Sequence, residues 1–319
     1  MKTLSIIIVN WNGRDVLGPC LESITRAAPK VDYEIIVVDN ASTDGSLEWL
    51  RSDEARACCG GADLRLIENS ENLGFGRGNN QAIANSRAPY LFLLNSDTEV
   101  KPGAIDALLE TLKSADDIGA CGPRLLNPDG SLQPSVYRNP PDPLEILVSG
   151  LRIYKAIPKR FRGELLLGTY WSYDARRSVR FISGAAFLIK REVVNAVGGF
   201  DEEYYFYGED QEWCLRIVRG GWRLVFEPNA EVIHHGSLSA LKRWESFDRY
   251  RIHLDASLHF QKLSLPKWHA VSNLLASCFV LILERAWRAA RRRAAEDVII
   301  GFELNFQYLK QAIRASSKG

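Results

Sequence analysis

The first 120 residues alternate between short apolar runs and longer segments in which apolar and polar positions mix. Mainly apolar, strand-like runs occupy Leu4–Val9, Tyr33–Val38, Leu64–Glu68, Tyr90–Leu94 and Ile118–Cys121. Segments with apolar residues at helical spacing lie between them, the first being Arg14–Ala27. Short apolar runs rich in β-branched residues are typical of strands buried on both faces, so the alternation predicts a parallel sheet with helices on both faces.

The pattern weakens after residue 121. Residues 122–177 are rich in Pro and Gly, which predicts irregular structure and a mobile loop. Regular signals then return, and we predict strands at Phe181–Ile189, Trp222–Phe226 and Glu231–His234 and helices at Ser46–Arg56, Pro102–Lys113, Arg191–Val197 and Gln211–Arg219. From Phe247 onward the pattern is helical. We therefore predict an α/β domain over 1–240, divided at 121/122, and a helical extension over 241–319.

Polar side chains follow the fourth strand, where Leu93-Leu94 gives way to Asn95-Ser96-Asp97. Asn95 and Asp97 are two residues apart, so a continuing strand would point both in one direction. Two oxygen donors on one side suit Mg²⁺ or Mn²⁺ shared with a phosphate. The alternative is a strand end followed by a capping turn.

Two further loops are expected at the same sheet edge, after strands one and two. In open α/β sheets, ligands bind at the carboxyl ends of the strands, so these loops are expected to converge on one ligand. Asp39 offers a carboxylate for a base or ribose, although an Asx turn with helix capping accounts for it equally well. The glycine-rich run 74–78 follows the third strand instead of the first, which argues against a dinucleotide fingerprint. Its glycines instead allow a close approach to a ligand, and Arg77 is available for phosphate.

Two other pairs carry candidate chemistry. Glu209-Asp210 follows an aromatic run and precedes a helix, where a carboxylate beside aromatic walls acquires a raised pKa and suits a general base. Helix capping is the alternative. His234-His235 ends a strand, and one imidazole is available to complete a metal site; a structural role is the alternative.

The bulk composition narrows the class. A net charge of +1 over 319 residues gives no electrostatic case for nucleic acid. The six cysteines include no CxxC pair, which predicts free thiols in a reducing compartment. The apolar N-terminal run stops at Asn10, so we read it as a first strand rather than a signal peptide and expect a cytoplasmic protein.

Five segments follow one another along the chain: SIIIVNWNG, VVDNASTDGS, NLGFGRGNN, LLNSDTEV and GGFDEEYYFYGEDQEWCLR. Together they resemble glycosyltransferase family 2, which has the GT-A fold, and the resemblance extends from Ser5 to about His235. A further segment, GPRLLNPDGSLQPS, supports a subtype similar to bacterial rhamnosyltransferases of cell-surface polysaccharide assembly.

The resemblance implies roles at the matching positions. Residues 1–121 would form the nucleotide-binding half and 122–240 the acceptor and catalytic half. Asp210 would deprotonate the acceptor hydroxyl in an inverting transfer, with Glu209 beside it and Trp213 and Arg216 supporting the acceptor side. The donor nucleotide would meet Asn10, Asn12, Asp39, Asn72, Gly74, Arg77, Asn79, Asn95 and Asp97. The metal, Mg²⁺ or Mn²⁺, would meet Asp97 and Asn95, with His234 or His235.

The family often has an Asp-x-Asp metal motif, whereas this chain has Asn95 first. An amide oxygen ligates without charge, so metal binding is expected to rest mainly on Asp97 and the diphosphate. The expected donor is dTDP-rhamnose, with a UDP-sugar as the alternative. The expected acceptor is a glycan or a lipid-linked sugar.

The C-terminal segment indicates where the acceptor lies. Its unbroken apolar stretch is shorter than the ~20 residues of a spanning helix. Apolar residues near 274–283 followed by clustered arginines resemble an interfacial helix at an anionic membrane. A core helix or a homodimer contact explains the stretch equally well.

Two other functions of the protein stay open: a sugar nucleotidyltransferase, although its Gly-rich, Arg-containing loop after the first strand is missing here, and a catalytically silent scaffold of a polysaccharide assembly complex.

Overall fold

The structure is a computed structural model that describes residues 2–136, 142–158, 172–204, 207–236, 246–291 and 296–316. Within the helices, only the backbone is described at 246–250, 253, 296–297 and 314–316. The chain divides into two compact units, which we call the sheet unit (1–137 and 173–249) and the helical unit (138–172 and 250–319). Residues 138–172 thus group with the C-terminal helices. The predicted boundaries at 121 and 240 stay a prediction.

The first half of the sheet unit follows the predicted alternation. Its elements are β1 (Leu4–Asn10), α1 (Arg14–Ala27), β2 (Tyr33–Asp39), α2 (Ser46–Leu50), α3 (Asp53–Cys58), β3 (Asp63–Glu68), α4 (Phe75–Asn85) and β4 (Tyr90–Asn95). The strands pair in parallel in the order β3-β2-β1-β4. The single helix predicted at Ser46–Arg56 is in fact two, because the Ser52 side chain caps α3 by accepting a hydrogen bond from the Ala55 N–H.

The second half is less regular. Its elements are β5 (Thr98–Val100), α5 (Ala104–Lys113), β6 (Ile118–Leu126), β7 (Leu132–Gln133), α6 (Pro143–Gly150, in the helical unit), β8 (Arg177–Val179), β9 (Ala186–Lys190), α7 (Arg191–Val197), α8 (Glu209–Arg219) and β10 (Arg223–His234). The described part of 122–177 therefore contains regular elements that the Pro and Gly content did not predict. Residues 137–141 and 159–171 of that segment lie outside the described residues.

The whole sheet runs β3-β2-β1-β4-β9-β6-β10-β5, with β7 beside β6 and β8 beside β10. Strand β9 is antiparallel to both β4 and β6, so the parallel sheet that we predicted is confined to the first four strands and the β6–β10 pair. The two strands predicted at 222–226 and 231–234 are one strand, β10, with an irregular register between Glu227 and Glu231.

The core of the sheet unit explains its apolar runs. The side chains of Leu4, Ile6, Ile7 and Ile8 in β1 are all fully buried, because helices cover both faces of the sheet. All six cysteines are free, as predicted, and Cys58 alone is not buried. Strands β1, β2 and β4 end in Asn10, Asp39 and Asn95, which places three polar residues at one sheet edge.

The helical unit contains α6, a 3₁₀ turn at Ile153–Ala156, and α9 (Ser246–Ser264, entering from the sheet unit), α10 (Lys267–Ala290) and α11 (Glu296–Ser316). Helix α6 packs closely on α10, since a Cβ at Gly150 would lie 2.4 Å from Val280 Cγ1. Helix α10 has 24 residues and a window of mean hydropathy 1.4, which is enough to cross a membrane by length and composition. It is thus longer than the apolar run that we judged too short.

Candidate active site

Asn10 and Asp39 form the floor of the candidate site, and both are fully buried or nearly so. Asp39 Oδ1 accepts hydrogen bonds from Asn10 Nδ2 at 3.0 Å and Ser42 Oγ at 2.7 Å, while Oδ2 accepts from the Ser42 N–H at 2.9 Å. Asn10 Oδ1 is buried and has no hydrogen-bond partner among the described residues. An orphaned buried oxygen is costly, and a donor from a ligand would relieve that cost.

Asn12 holds the loop after β1 against the loop after β2. Its Oδ1 accepts from the Thr43 N–H at 2.7 Å, and its own N–H donates to Ser42 Oγ at 2.9 Å. Asn12 and Ala41 both have positive φ, 52° and 60°, so both loops adopt the left-handed conformation that residues with a Cβ seldom take. Such strain persists where the surroundings enforce it, which is common at binding sites.

The loop before α4 forms the next wall. Asn72 Oδ1 accepts the Gly74 N–H at 2.9 Å, and Gly74 has φ +87°, a conformation that favours glycine. Asn40 Nδ2 donates to the Gly74 carbonyl at 3.1 Å and so joins this wall to the floor. Asn79 is 1 % exposed and donates to the Phe75 carbonyl, so its side chain braces the helix. Arg77 is half exposed and pairs with Glu202 at 3.5 Å, which competes with any phosphate.

Asn95 and Asp97 meet at His234. Strand β4 ends at Asn95 and a turn precedes β5, so the continuing strand on which we based their shared direction is absent. Both nevertheless approach one atom: His234 Nε2 lies 3.3 Å from Asn95 Nδ2 and 3.4 Å from Asp97 Oδ1. His235 instead directs Nε2 to Glu99 Oε1 at 2.9 Å. Of the two histidines, His234 is the one at the predicted metal position.

The residues present fit a divalent metal of the GT-A kind. Two ligands at right angles around an ion at ~2.1 Å are roughly 3 Å apart, close to the separation of Asp97 Oδ1 and His234 Nε2. No group of three His, Cys, Asp or Glu that could hold a metal occurs in the part of the chain that the structure describes. The protein thus offers a carboxylate and an imidazole, and a bound diphosphate would supply further oxygen ligands.

Asp210 lies at the start of α8, partly exposed, and accepts two backbone hydrogen bonds. The Gly184 N–H donates to Oδ2 at 3.1 Å and the Gln211 N–H to Oδ1 at 2.9 Å. Burial nevertheless raises its pKa above the usual value. Two backbone N–H groups therefore hold the Asp210 carboxylate in one orientation, which suits a general base because such a base has to be positioned near the proton that it takes.

Glu209 is the buried partner of this pair, 7 % exposed, and its Oε2 has no hydrogen-bond partner within the described ranges. Burial, with the nearby charge of Asp210, raises its pKa to about 8. Tyr207 just before it has φ +67°, a strained conformation for a bulky residue. Tyr205 and Phe206 of the same motif lie outside the described residues.

Trp213 and Arg216, which we expected on the acceptor side, occupy supporting positions. Trp213 is fully buried, donates to the Gly198 carbonyl at 2.9 Å and packs on Phe200 at 4.3 Å between ring centres. Arg216 donates to the Val197 and Gly199 carbonyls. Both side chains therefore hold the backbone of residues 197–199, where α7 ends.

Contacts through the segment before β9 connect the metal position to the base. The Asn95 N–H donates to the Ala185 carbonyl at 2.9 Å, and Gly184 is the residue that donates to Asp210. A Cβ at Gly184 would lie 3.3 Å from Phe75 Cε1, so the α4 wall adjoins the same segment. The candidate residues at the ends of β1, β2 and β4 and at the starts of α4 and α8 thus surround one site.

Several residues that hold this arrangement were not predicted from the sequence. They share side-chain or backbone groups that bond to segments distant in sequence, and they are Asn40, Ser42, Asn80, Gln133 and Gly184. Asn80, for example, exchanges hydrogen bonds with the Phe200 backbone at 2.9 Å. The resemblance segments NLGFGRGNN and GSLQPS contain Asn80 and Gln133, but only the fold reveals their partners.

Comparison with known proteins identifies the class. The fold is the GT-A fold: the chain superimposes on the Pyrobaculum calidifontis mannosyltransferase PcManGT with a TM-score of 0.55 and 16% identity, covering 98% of this chain and 86% of that one. GalNAc-T7, solved with UDP, GalNAc and Mn²⁺, gives a TM-score of 0.54 at 20% identity over 73% of this chain and 44% of that one. At these identities the likeness concerns the fold.

The family follows from the sequence comparison. Residues 5–198 match the model for glycosyl transferase family 2, and the chain belongs to that family. It is 29% identical over 258 residues to the N-acetylglucosaminyl-diphospho-decaprenol L-rhamnosyltransferase of Mycobacterium tuberculosis, spanning 73% of this chain and 76% of the relative. It is 26% identical to the Myxococcus xanthus O-antigen biosynthesis protein RfbC, over 78% of this chain but 19% of that protein. The protein is a glycosyltransferase that resembles rhamnosyltransferases, as its sequence motifs predicted.

Proposed function

We propose that this protein is an inverting glycosyltransferase that moves a sugar, rhamnose in the first instance, from a nucleoside diphosphate to a lipid-linked sugar in cell-surface polysaccharide synthesis. The observation that carries the proposal is the position of Asp210 at the same sheet edge as Asp97 and His234. A base and a diphosphate-binding pair are thus available on one site, as an in-line displacement requires.

Asp210 is the general base. Its carboxylate takes the proton of an acceptor hydroxyl while that oxygen forms a bond to the anomeric carbon. The bond from the anomeric carbon to the diphosphate oxygen breaks, and its electron pair leaves with the nucleoside diphosphate. Attack comes from the face opposite the leaving group, so the configuration inverts. The N–H groups of Gly184 and Gln211 hold the carboxylate in position before the substrate arrives.

Asp97 and His234 are the residues that would hold a divalent metal, with Asn95 beside them. A bound Mg²⁺ or Mn²⁺ would supply charge stabilisation for the departing diphosphate. Asn10, Asp39 and the α4 loop form the nucleotide side of the site. The orphaned Asn10 Oδ1 offers an acceptor for a ligand N–H or O–H.

The M. tuberculosis relative, by its name, transfers L-rhamnose to a lipid-linked N-acetylglucosamine. That name supports a lipid-linked acceptor and a rhamnose donor here, and we propose dTDP-rhamnose as that donor, with a UDP-sugar as the alternative. It also supports a cytoplasmic enzyme that works at the inner face of the membrane, because a lipid-linked acceptor is held in the bilayer.

The helical unit supports this location. Trp268, Leu275, Phe279 and Ile282 are 65, 51, 50 and 51 % exposed, and at their spacing they lie along one face of α10. The opposite face is buried inside the unit, where Asn273 bonds to Gln261. Arg285 is exposed, and Arg291 stacks on Trp287 at 4.4 Å. Arg292 and Arg293 lie outside the described residues. An apolar stripe with aromatic ends and adjacent arginines suits the interface of an anionic bilayer.

A donor screen tests the proposal. We expect dTDP-rhamnose with Mn²⁺ to raise the melting temperature above that given by UDP-sugars or GDP-mannose, because binding to the folded state stabilises it. Release of the nucleoside diphosphate with a polyprenyl-diphosphate sugar then measures transfer. Pyrophosphate release from a nucleotide triphosphate and a sugar phosphate would instead identify a nucleotidyltransferase, and no release with any donor would identify a scaffold.

The variant Asp97→Ala tests the proposed metal site separately from the proposed donor and the proposed general base. Loss of one of two protein ligands should weaken Mn²⁺ binding by at least roughly tenfold, measured by titration in the presence of the nucleoside diphosphate. Unchanged Mn²⁺ affinity would refute the assignment of Asp97 as a ligand. The matched control is Asp63→Asn, a carboxylate at the first residue of β3 and so at the amino edge of the sheet.

A further inference from the structure

His234 is connected to a chain of hydrogen bonds that leads away from the candidate metal position. Its Nδ1 lies 2.7 Å from Gln133 Oε1. Gln133 Nε2 donates to Asn127 Oδ1 at 3.0 Å, and Asn127 Nδ2 donates to Ser131 Oγ at 2.9 Å. Ser131 Oγ donates to Asp129 Oδ1 at 2.6 Å. The four bonds join the tight turn between β6 and β7 to the end of β10.

The direction of every bond in this chain is determined by its outer end. Hydrogen bonds from Ser131 lower the pKa of Asp129, so that carboxylate is ionised and only accepts. Ser131 must therefore donate its proton to Asp129 and accept from the Asn127 amide nitrogen. This orientation turns Asn127 Oδ1 toward Gln133, which then has to present its NH₂ group there.

A second contact fixes Gln133 independently. Its Nε2 also lies 3.3 Å from the His234 carbonyl, which accepts and cannot donate. Both neighbours of Nε2 are thus acceptors. A flipped amide would place its own oxygen against Asn127 Oδ1 and against the His234 carbonyl, so the orientation with Nε2 at this position is the one that forms hydrogen bonds. Oε1 consequently faces Nδ1 of the imidazole as an acceptor.

A hydrogen-bond acceptor at Nδ1 selects the tautomer that carries its proton on Nδ1. The other nitrogen, Nε2, then carries the lone pair of the neutral ring, which can accept from Asn95 Nδ2 at 3.3 Å in this structure, and Nε2 also lies 3.4 Å from Asp97 Oδ1. Metal ligation requires that lone pair, and an acceptor on the far nitrogen fixes the ring orientation as well. Gln133 meets both requirements.

We propose that Gln133 is a positioning residue that holds His234 in the Nδ1–H tautomer with Nε2 ready to bind the metal, and that Asp129, Ser131 and Asn127 set the polarity of Gln133. This inference rests on the proposed metal-dependent transfer. It extends that function to residues of the β6–β7 turn, which contact neither the metal position nor Asp210.

The tautomer is measured on metal-free protein by ¹⁵N NMR of the imidazole nitrogens, at a pH where the ring is neutral. We expect His234 to show a protonated Nδ1 and an unprotonated Nε2 in the wild type. Gln133→Leu removes the acceptor at similar size and should give a mixture of tautomers. A protonated Nε2 in the wild type, or an unchanged spectrum in Gln133→Leu, would overturn the proposal.

A double-mutant cycle separates positioning from a purely structural role. Gln133→Leu should raise the Kd for Mn²⁺, with nucleoside diphosphate present, roughly tenfold, the effect of losing an outer partner of a metal ligand. In the His234→Ala background the same substitution should have no further effect. Gln133→Glu keeps an acceptor at Nδ1 but places its second oxygen against Asn127 Oδ1 and the His234 carbonyl, so its affinity should lie between those of Gln133→Leu and the wild type. An equal loss of Mn²⁺ affinity in both backgrounds would mean that Gln133 acts only by stabilising the β6–β7 hairpin and not through His234.

The two proposals fail in different ways. If the wild type binds no Mn²⁺ in the presence of any nucleoside diphosphate, the metal-dependent function is refuted, whatever the tautomer. If the wild type binds Mn²⁺ and Gln133→Leu binds it equally well, the function stands and the role of Gln133 is refuted. Ser131→Ala provides the graded test, with a smaller shift expected in the same direction, and no shift would refute the outer part of the chain.

Discussion

The two units of the chain treat their apolar residues in opposite ways. The described residues of the sheet unit bury or partly bury their large apolar side chains, whereas all twelve large apolar side chains found exposed in the described part of the chain belong to the helical unit. Large exposed apolar patches mark sites that bind a protein or a membrane. We therefore propose that the sheet unit carries out the reaction at its polar edge and that the helical unit determines where the protein is located.

The largest effect is expected from the base. Asp210→Asn keeps the size of the side chain and removes the proton acceptor, so kcat should fall ~10²–10⁴-fold with donor affinity largely kept. Initial rates of nucleoside diphosphate release measure it, with Asp63→Asn as the control. Wild-type turnover in Asp210→Asn would refute the assignment of Asp210 as the general base. The Asp210→Asn variant should bind anionic liposomes as the wild type does, because the proposed membrane contact lies in the helical unit.

A second prediction concerns the apolar stripe of α10. Replacing Leu275, Phe279 and Ile282 together by Ser should weaken binding to anionic liposomes at least roughly tenfold, because each side chain buried in the interface contributes on the order of 1–3 kcal/mol. Co-sedimentation measures it, and nucleoside diphosphate release with a water-soluble acceptor should stay unchanged.

The matched control for that variant lies on α11, where Ile300, Phe306 and Ile313 are also exposed. If replacing those three residues weakens liposome binding equally, the membrane contact is not specific to α10 but involves α11 as well. Undiminished liposome binding by the α10 variant would favour a homodimer contact instead, which sedimentation equilibrium would detect. Binding to anionic liposomes should also weaken with salt, since the arginines near residue 290 contribute.

The smallest effect concerns Glu209 and the stability of the sheet unit. Its folded-state pKa of about 8 exceeds the usual 4.5, so between these values the native state holds a proton that the unfolded chain has lost. The free energy of unfolding therefore falls as pH rises through that window. Glu209→Gln lacks this proton, so its stability relative to the wild type should grow by at least about 1 kcal/mol from pH 5 to pH 8. Urea unfolding at both values tests it, and a constant difference would contradict the raised pKa.

The sequence was sufficient for the parts of this protein that depend on local pattern. The run at Leu4–Val9 and its successors revealed the strands because burial on both faces demands continuous apolar residues. Asp39, Asp97 and Asp210 were identified as candidates because they follow strands or begin a helix, where ligand-binding groups concentrate; their roles stay a prediction. The family resemblance, confirmed by the comparisons, then gave the fold and the reaction class.

Other features depend on partners distant in sequence. Residues 186–189 are apolar and would be so in a parallel or an antiparallel strand, so the direction of β9 was not predictable. Trp213 lies one turn from Asp210 on α8, yet helical spacing alone did not reveal that its ring is buried. The contact of Gln133 with His234 spans 101 residues. Pattern along the chain carries no information on such a pair.

The connection before β9 has a consequence for which substrates fit. Neighbouring residues, Gly184 and Ala185, hold the base and the end of β4 respectively. In the proposed reaction, the separation between Asp210 and the end of β4 is therefore set by one peptide link. We expect sugar donors and acceptors of different shape to be accommodated by the surrounding loops rather than by a change in that separation. We expect an insertion of one residue between 184 and 185 to alter the separation and to abolish transfer, with the residues of both halves of the site still present.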